Sequence, residues 1–224
     1  MTVDPDELLT KTLELYESCS SYSDVGEASC DMGKLQFKTY FCRPSQFRFE
    51  WSNMYSEGTN VIFSDSDSKV TYFDGESDEN TGSLALAVAG ATGVSLGVAP
   101  LVAHLLMPTL FESGQFQSFV SLRPYSFVEE DDSYVKIRAN WRSNCWTTLL
   151  VDKVRLALRA VEEGFTATVE EKQRGIEAMQ TMEASELEEV RALLLIEEKP
   201  QVTMVSYSDV KFDMPISPDL FRKL

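Results

Sequence analysis

Between residues 35 and 51 the hydropathy of the chain runs with a period of two. Leu35, Phe37, Thr39 and Phe41, then Phe47, Phe49 and Trp51, alternate with Lys34, Gln36, Lys38, Gln46, Arg48 and Glu50. Successive side chains of a strand point to opposite faces, so the spacing makes a hairpin with one greasy face. Pro44, Ser45 and Gln46 supply its turn. The same reading predicts strands at 61–63, 70–73, 134–139, 145–151, 154–161 and 202–207. With almost no helix between most of them, the chain is expected to form an antiparallel meander rather than a doubly wound sheet.

Two stretches break the β pattern. Residues 81–111 contain no formally charged side chain, and 84–107 is long enough to cross a bilayer. Gly90, Gly93, Gly97 and Pro100 interrupt it, and Glu79 and Glu112 flank it with no basic cluster, which argues against a span. Two short helices, at 83–91 and 98–107, fit better. Gly93-Val94-Ser95-Leu96-Gly97 matches a nucleophile-elbow pattern, but the only histidine, His104, follows nine residues on with no acid between. A Ser95 relay is then hard to assemble, and the glycines read as a hinge. Helices apolar on most sides must be buried, and the aromatic hairpin offers the matching surface. A full fit would make an ordinary core, and an incomplete one would leave a cavity suited to acyl chains.

The second stretch, 168–198, is acidic and helical. Thr168 with Glu171 and Ser185 with Glu188 form capping-box pairs, and Ile176, Met179, Leu187, Val190 and Leu194 recur at near-helical spacing. An N-terminal helix is expected as well, capped by Asp4, with Pro5 and Glu7 in its first turn and Leu8, Leu9, Leu13 and Tyr16 on one face.

The formal charge of -16 and pI near 4.5 repel phosphate backbones, so nucleic acid is not an expected partner. One histidine and four cysteines without C-x-x-C spacing make a zinc site improbable. Asp65, Asp67, Asp74, Glu76, Asp78 and Glu79 invite a calcium loop, but Lys69 or Ala85 would fall at ligand positions, so solvated turns are expected. No cofactor and no metal are implied. Met1-Thr2-Val3-Asp4-Pro5 is not a signal peptide.

The order of elements resembles a known family. Tyr40-Phe41-Cys42-Arg43-Pro44-Ser45-Gln46-Phe47-Arg48-Phe49-Glu50-Trp51, then Val61-Ile62-Phe63-Ser64-Asp65, Val205-Ser206-Tyr207-Ser208-Asp209-Val210-Lys211-Phe212 and Phe221, resemble the LolA superfamily of periplasmic lipoprotein carriers and related lipid-binding envelope proteins. Ser66 stands where the family has a glycine, and the acidic segment lengthens the chain. The resemblance implies an α+β fold: a strongly bent antiparallel half-barrel covered by helices, as one domain over 1–224 with a helical insertion at 168–198. It implies a non-enzymatic carrier or sensor of the acyl chains of lipoproteins or lipids, with a possible envelope protein partner. The location would be periplasm or cell envelope, or cytoplasm if the chain is complete. The ligand-binding residues would be Phe37, Phe41, Arg43, Phe47, Phe49 and Trp51 from the sheet, and Leu84, Leu86, Leu101 and Leu105 from the helices. If the hairpin keeps its parity, Arg43 stands at the end of the apolar face, where helix-terminal carbonyls from 83–107 would meet it and latch the helices shut.

Overall fold

The computed structural model describes residues 4–52, 58–65, 70–73, 78–80, 83–111, 122–142, 144–178 and 200–222. Ser66, Asp67, Lys69, Asp74, Glu76, Glu112, Met179, Ser185, Leu187, Glu188, Val190 and Leu194, and the side chain of Ile176, lie outside what it describes.

Helix α1 (Pro5–Ser18) starts as its sequence dictates. The Asp4 carboxylate accepts from the Asp6 and Glu7 amides, satisfying donors that the first turn leaves free. Six strands follow: β1 (Ser21–Cys30), β2 (Gly33–Cys42), β3 (Gln46–Ser52), β4 (Thr59–Asp65), β5 (Val70–Phe73) and β6 (Asp78–Asn80). Then come α2 (Leu84–Gly90) and α3 (Val98–Leu106), joined by a turn in which Gly97 takes a φ of 78° that side-chain-bearing residues rarely adopt. The chain returns through β7 (Ser126–Glu130), β8 (Tyr134–Arg142), β9 (Cys145–Asp152) and β10 (Leu158–Phe165), then α4 (Val169–Ala178), β11 (Gln201–Phe212) and a 3-10 turn (Pro218–Phe221).

The eleven strands form one antiparallel sheet in the order β6-β5-β4-β3-β2-β1-β11-β10-β9-β8-β7. This is two meanders meeting at β1 and β11. The first steps outward to one edge at β6, and the second begins at the opposite edge with β7. The connection that carries α2 and α3 therefore has to cross the sheet, and its uncharged composition makes crossing the buried face favourable. Val98 to Met107 are buried at all positions but His104. No helix is long and apolar enough to span a membrane among the described residues.

Parity sorts the two faces. Leu35, Phe37, Thr39 and Phe41 of β2 pair with inward residues of β1 and β3, and Ile62, Val135, Ile137, Leu149, Val151 and Val161 continue the buried face along the sheet. Each aromatic or branched aliphatic side chain buried there contributes about 1.5–3 kcal/mol. On the outer face of β3, Arg48 is also buried, paired with Glu50 at 2.5 Å and donating to the Leu220 carbonyl at 3.1 Å. The C-terminal turn, with Phe221 fully buried, thus closes the outside of β3 and β4.

The strand expected at 154–161 is displaced. Asp152 accepts from the Val154 and Arg155 amides, which makes 153–155 a turn and leaves Val154 exposed, so β10 starts at Leu158. Strands β1, β6 and β7 go beyond the sequence reading. The box at Thr168 forms: its amide donates to Glu171 at 2.9 Å, and the Glu171 amide donates back to its hydroxyl at 3.2 Å.

Candidate functional site

The inner wall is built by register. Phe37 faces Trp51, Thr39 faces Phe49 and Phe41 faces Phe47 across β2 and β3. The Phe37 and Phe49 rings stack at 5.8 Å, and Phe49 meets Trp51 at 5.4 Å. Leu84, Leu101 and Leu105 join them from the helices, all buried in the same core. Leu86 does not. Helix α2 buries Leu84, Ala87 and Val88, one stripe of a 3.6-residue period, and Leu86 points to the other side with 65% of its surface exposed. Phe41, Phe47 and Phe49 have no exposed surface, so the wall is closed over and an entering molecule needs the helices to move.

Arg43 sits where the hairpin parity places it, at the end of this wall, with its guanidinium 5.1 Å from the Phe41 ring centroid. Its Nε donates to the Cys19 carbonyl at 2.8 Å, and its Nη2 donates to the carbonyls of Tyr16 and Leu106, each at 3.0 Å. Tyr16 lies in the last turn of α1 and Leu106 ends α3. One cation therefore answers the orphan carbonyls and the negative dipole ends of two helices, and ties both to the sheet. The acceptors come from α1 as well as from the 83–107 helices, so the clasp is wider than its sequence suggests.

A second feature of the interior is polar and was not expected. Asp24 faces inward from β1 with 2% of its surface exposed. The Tyr22 hydroxyl donates to its Oδ2 at 2.6 Å. Its Oδ1 makes no hydrogen bond of ordinary geometry, and neither do the hydroxyls of Thr39, Tyr207 and Thr12. Thr39 is opposite Asp24 on β2, and Tyr207 is opposite Gly26 on β11. Burial pushes the Asp24 carboxyl up to about 7, partly offset by Tyr22 and Thr39. The phenols of Tyr16, Tyr22 and Tyr207 are raised as well, by burial first and by the Asp24 charge. Tyr16 accepts from the Leu158 amide at 3.1 Å, tying α1 and this cluster to β10. Gly26 lets the Phe37 ring lie flat against β1 beside the cluster: a methyl there would sit 2.2 Å from that ring. The inward residues of β1, Tyr22, Asp24, Gly26 and Ala28, do not alternate in hydropathy with their neighbours, so only pairing shows their face.

No family model matches the chain, and no curated protein matches it. Solved structures do. A chain of the Pseudomonas aeruginosa MucA/MucB complex aligns over 99% of this chain with a TM-score of 0.52 at 11% identity, and the match covers 61% of that chain's length. A LolA superfamily protein from Nitrosomonas europaea overlaps with a TM-score of 0.38 at 12% identity, over 99% of each chain. A DUF1329 family protein from Desulfovibrio piger overlaps with a TM-score of 0.31 at 10% identity, over 99% of this chain and 98% of the other. The fold is the one seen in the MucA/MucB chain. The open antiparallel sheet with helices on one face is the architecture that the resemblance implied, and the MucA/MucB chain shares it.

Within this frame the elbow serine is buried at the start of a helix. Ser95 has no exposed surface, and its hydroxyl accepts from the Ala99 amide at 3.3 Å, in the first turn of α3. His104 is on the same helix, its ring stacked 6.1 Å from Phe111, and burial lowers its pKa. On the outer face, Lys136, Leu150, Ala160, Glu162 and Met204 line a groove of about 230 Å³. That is smaller than ligand pockets usually are, at roughly 300–1,000 Å³.

Proposed function

We propose that this chain is a non-enzymatic carrier or sensor that takes the acyl chains of lipoproteins or lipids between its sheet and helices α2 and α3. The observation that carries the reading is the Arg43 clasp. The aromatic wall is covered by helices whose termini are held to the sheet by one guanidinium, and hydrogen bonds gathered at one point can be released together. Apolar side chains can then exchange contact with each other for contact with a chain of methylenes at little cost in burial. The residues that meet the ligand are Phe37, Phe41, Phe47, Phe49, Trp51, Leu84, Leu101 and Leu105, with Arg43 at the mouth. The fold is shared with a chain that is part of the MucA/MucB complex, which supports a protein partner on the exterior, and the family resemblance of the sequence supports an envelope setting.

The full burial of the wall favours a second reading, a structural or protein-interaction domain with a permanently filled core. The two separate on binding. Delipidated protein titrated with an uncharged fluorescent acyl ester is expected to give a saturable, one-to-one fluorescence change, and native mass spectrometry the matching adduct. A linear, non-saturating response with no adduct would establish the filled core instead.

A further inference from the structure

The polar cluster inside the sheet has a chemistry of its own. Asp24 Oδ1, Thr39 Oγ1 and the Tyr207 hydroxyl belong to side chains that are 2%, 0% and 5% exposed, and none of the three atoms makes a hydrogen bond of ordinary geometry, Thr39 lying just near enough to Asp24 to lower its pKa. Buried polar groups are nearly always paired, so three orphans on adjoining strands mark a place built for something that brings its own donors. They lie together. Asp24 and Thr39 are register partners, Tyr207 stands opposite Gly26 two residues along β1 with the Phe37 ring over the glycine, and the Asp24 charge acts on the Tyr207 phenol. Thr12, whose hydroxyl is also orphaned, is one turn of α1 before Tyr16, which packs on Tyr22 at 5.4 Å. The apolar wall adjoins the cluster directly, because the Phe37 ring meets Tyr207 edge-on at 5.8 Å.

Among the described residues no lysine or arginine pairs with Asp24, so the carboxylate has no internal counter-charge. Its Oδ1 is an acceptor when ionised, and the two hydroxyls can turn to accept. A primary ammonium has three donors for these three acceptors and supplies the missing charge. An alcohol supplies one donor and no charge. A carboxylate would bring a second negative charge beside Asp24 in a low-dielectric interior.

We propose that Asp24, Thr39 and Tyr207 form the head-group subsite of the interior, which takes amphiphiles with a hydrogen-bond-donating head, long-chain amines first and long-chain alcohols second, and turns away fatty-acid carboxylates. The inference rests on the acyl-chain reading, since the cluster is reachable only when the helices open.

The test is displacement of the uncharged acyl ester at pH 8.5 in 0.5 M NaCl by decylamine, 1-decanol and decanoate. The salt removes the general attraction of a chain of charge -16 for any amine. The expected order is amine, alcohol, carboxylate, with at least about tenfold between the first and the last. Asp24→Asn, which keeps the acceptor for Tyr22, is expected to lower amine affinity and raise decanoate affinity until the order collapses. Tyr207→Phe, which removes one hydroxyl and leaves the ring, is expected to weaken the amine without strengthening decanoate. Equal affinities in the unmutated protein, or an amine preference that survives both substitutions, would overturn the subsite and leave acyl binding intact. Failure of the ester and of all three competitors to bind would overturn both.

Discussion

Asp24 controls stability as well as recognition. Its carboxyl is raised from 3.8 to about 7 in the folded chain, so the folded state holds this proton more tightly than the unfolded one. The contribution of such a group is full below about pH 4, falls as pH rises towards 7, and is constant above. The difference between the two ends is on the order of 4 kcal/mol. Asp24→Asn removes the titration and keeps the shape. Chemical denaturation at pH 5 and pH 8 is expected to show the unmutated protein losing stability over that interval relative to the variant, so that the variant is the more stable at pH 8. A constant difference between the two at both pH values would mean that Asp24 is not buried as described. Arg43 and Asp24 also show what single residues disclose in a sequence. Arg43 follows a clear odd-position run of aromatic residues, so its place at the end of the wall is legible. Asp24 lies in a strand whose inward residues are Tyr22, Asp24, Gly26 and Ala28, and no period marks them as a face.

Among the elements, the proposed function makes α3 and its clasp the parts that govern how the interior opens. Arg43 donates to Tyr16, Cys19 and Leu106, and hydrogen bonds to a charged donor are each worth about 1.5–3 kcal/mol where water cannot replace them. Arg43→Met keeps the aliphatic stem on Phe41 and removes every donor. Hydrogen exchange of α3 and of the last turn of α1 is expected to speed up by about tenfold or more, with β1, β2 and β11 still protected, and the acyl ester is expected to leave faster. Unchanged exchange in α3 would show that packing alone closes the interior. Elements were legible where hydropathy is periodic, as in β2, β3, α1 and the start of α4. They were lost where the buried face is not apolar, as in β1, or where nothing is buried. All five residues of β7 are exposed, and Asp152 ends β9 by a side-chain hydrogen bond that hydropathy does not record.

At the scale of the molecule, the two meanders place β6 and β7 at opposite edges, and this forces the uncharged connection across the face of the sheet. The sequence discloses the antiparallel meander and the covering helices because both are written in composition and period, while the half-barrel is implied by the family resemblance. It does not disclose the strand order, which depends on β1 pairing with β11 nearly two hundred residues later. Nor does it show Leu86 turned outward, because α2 is apolar on both sides. The claim that unites these features is that acyl chains lie inside, against the aromatic wall. An uncharged acyl ester with a photoreactive diazirine at the end of its chain tests this most directly. After irradiation, mass spectrometry is expected to find the label on peptides holding Phe37, Phe41, Phe49, Leu101 or Leu105, with unlabelled ester competing it away. Label confined to exposed residues such as Leu86, Phe127 or Val154 would contradict an interior site.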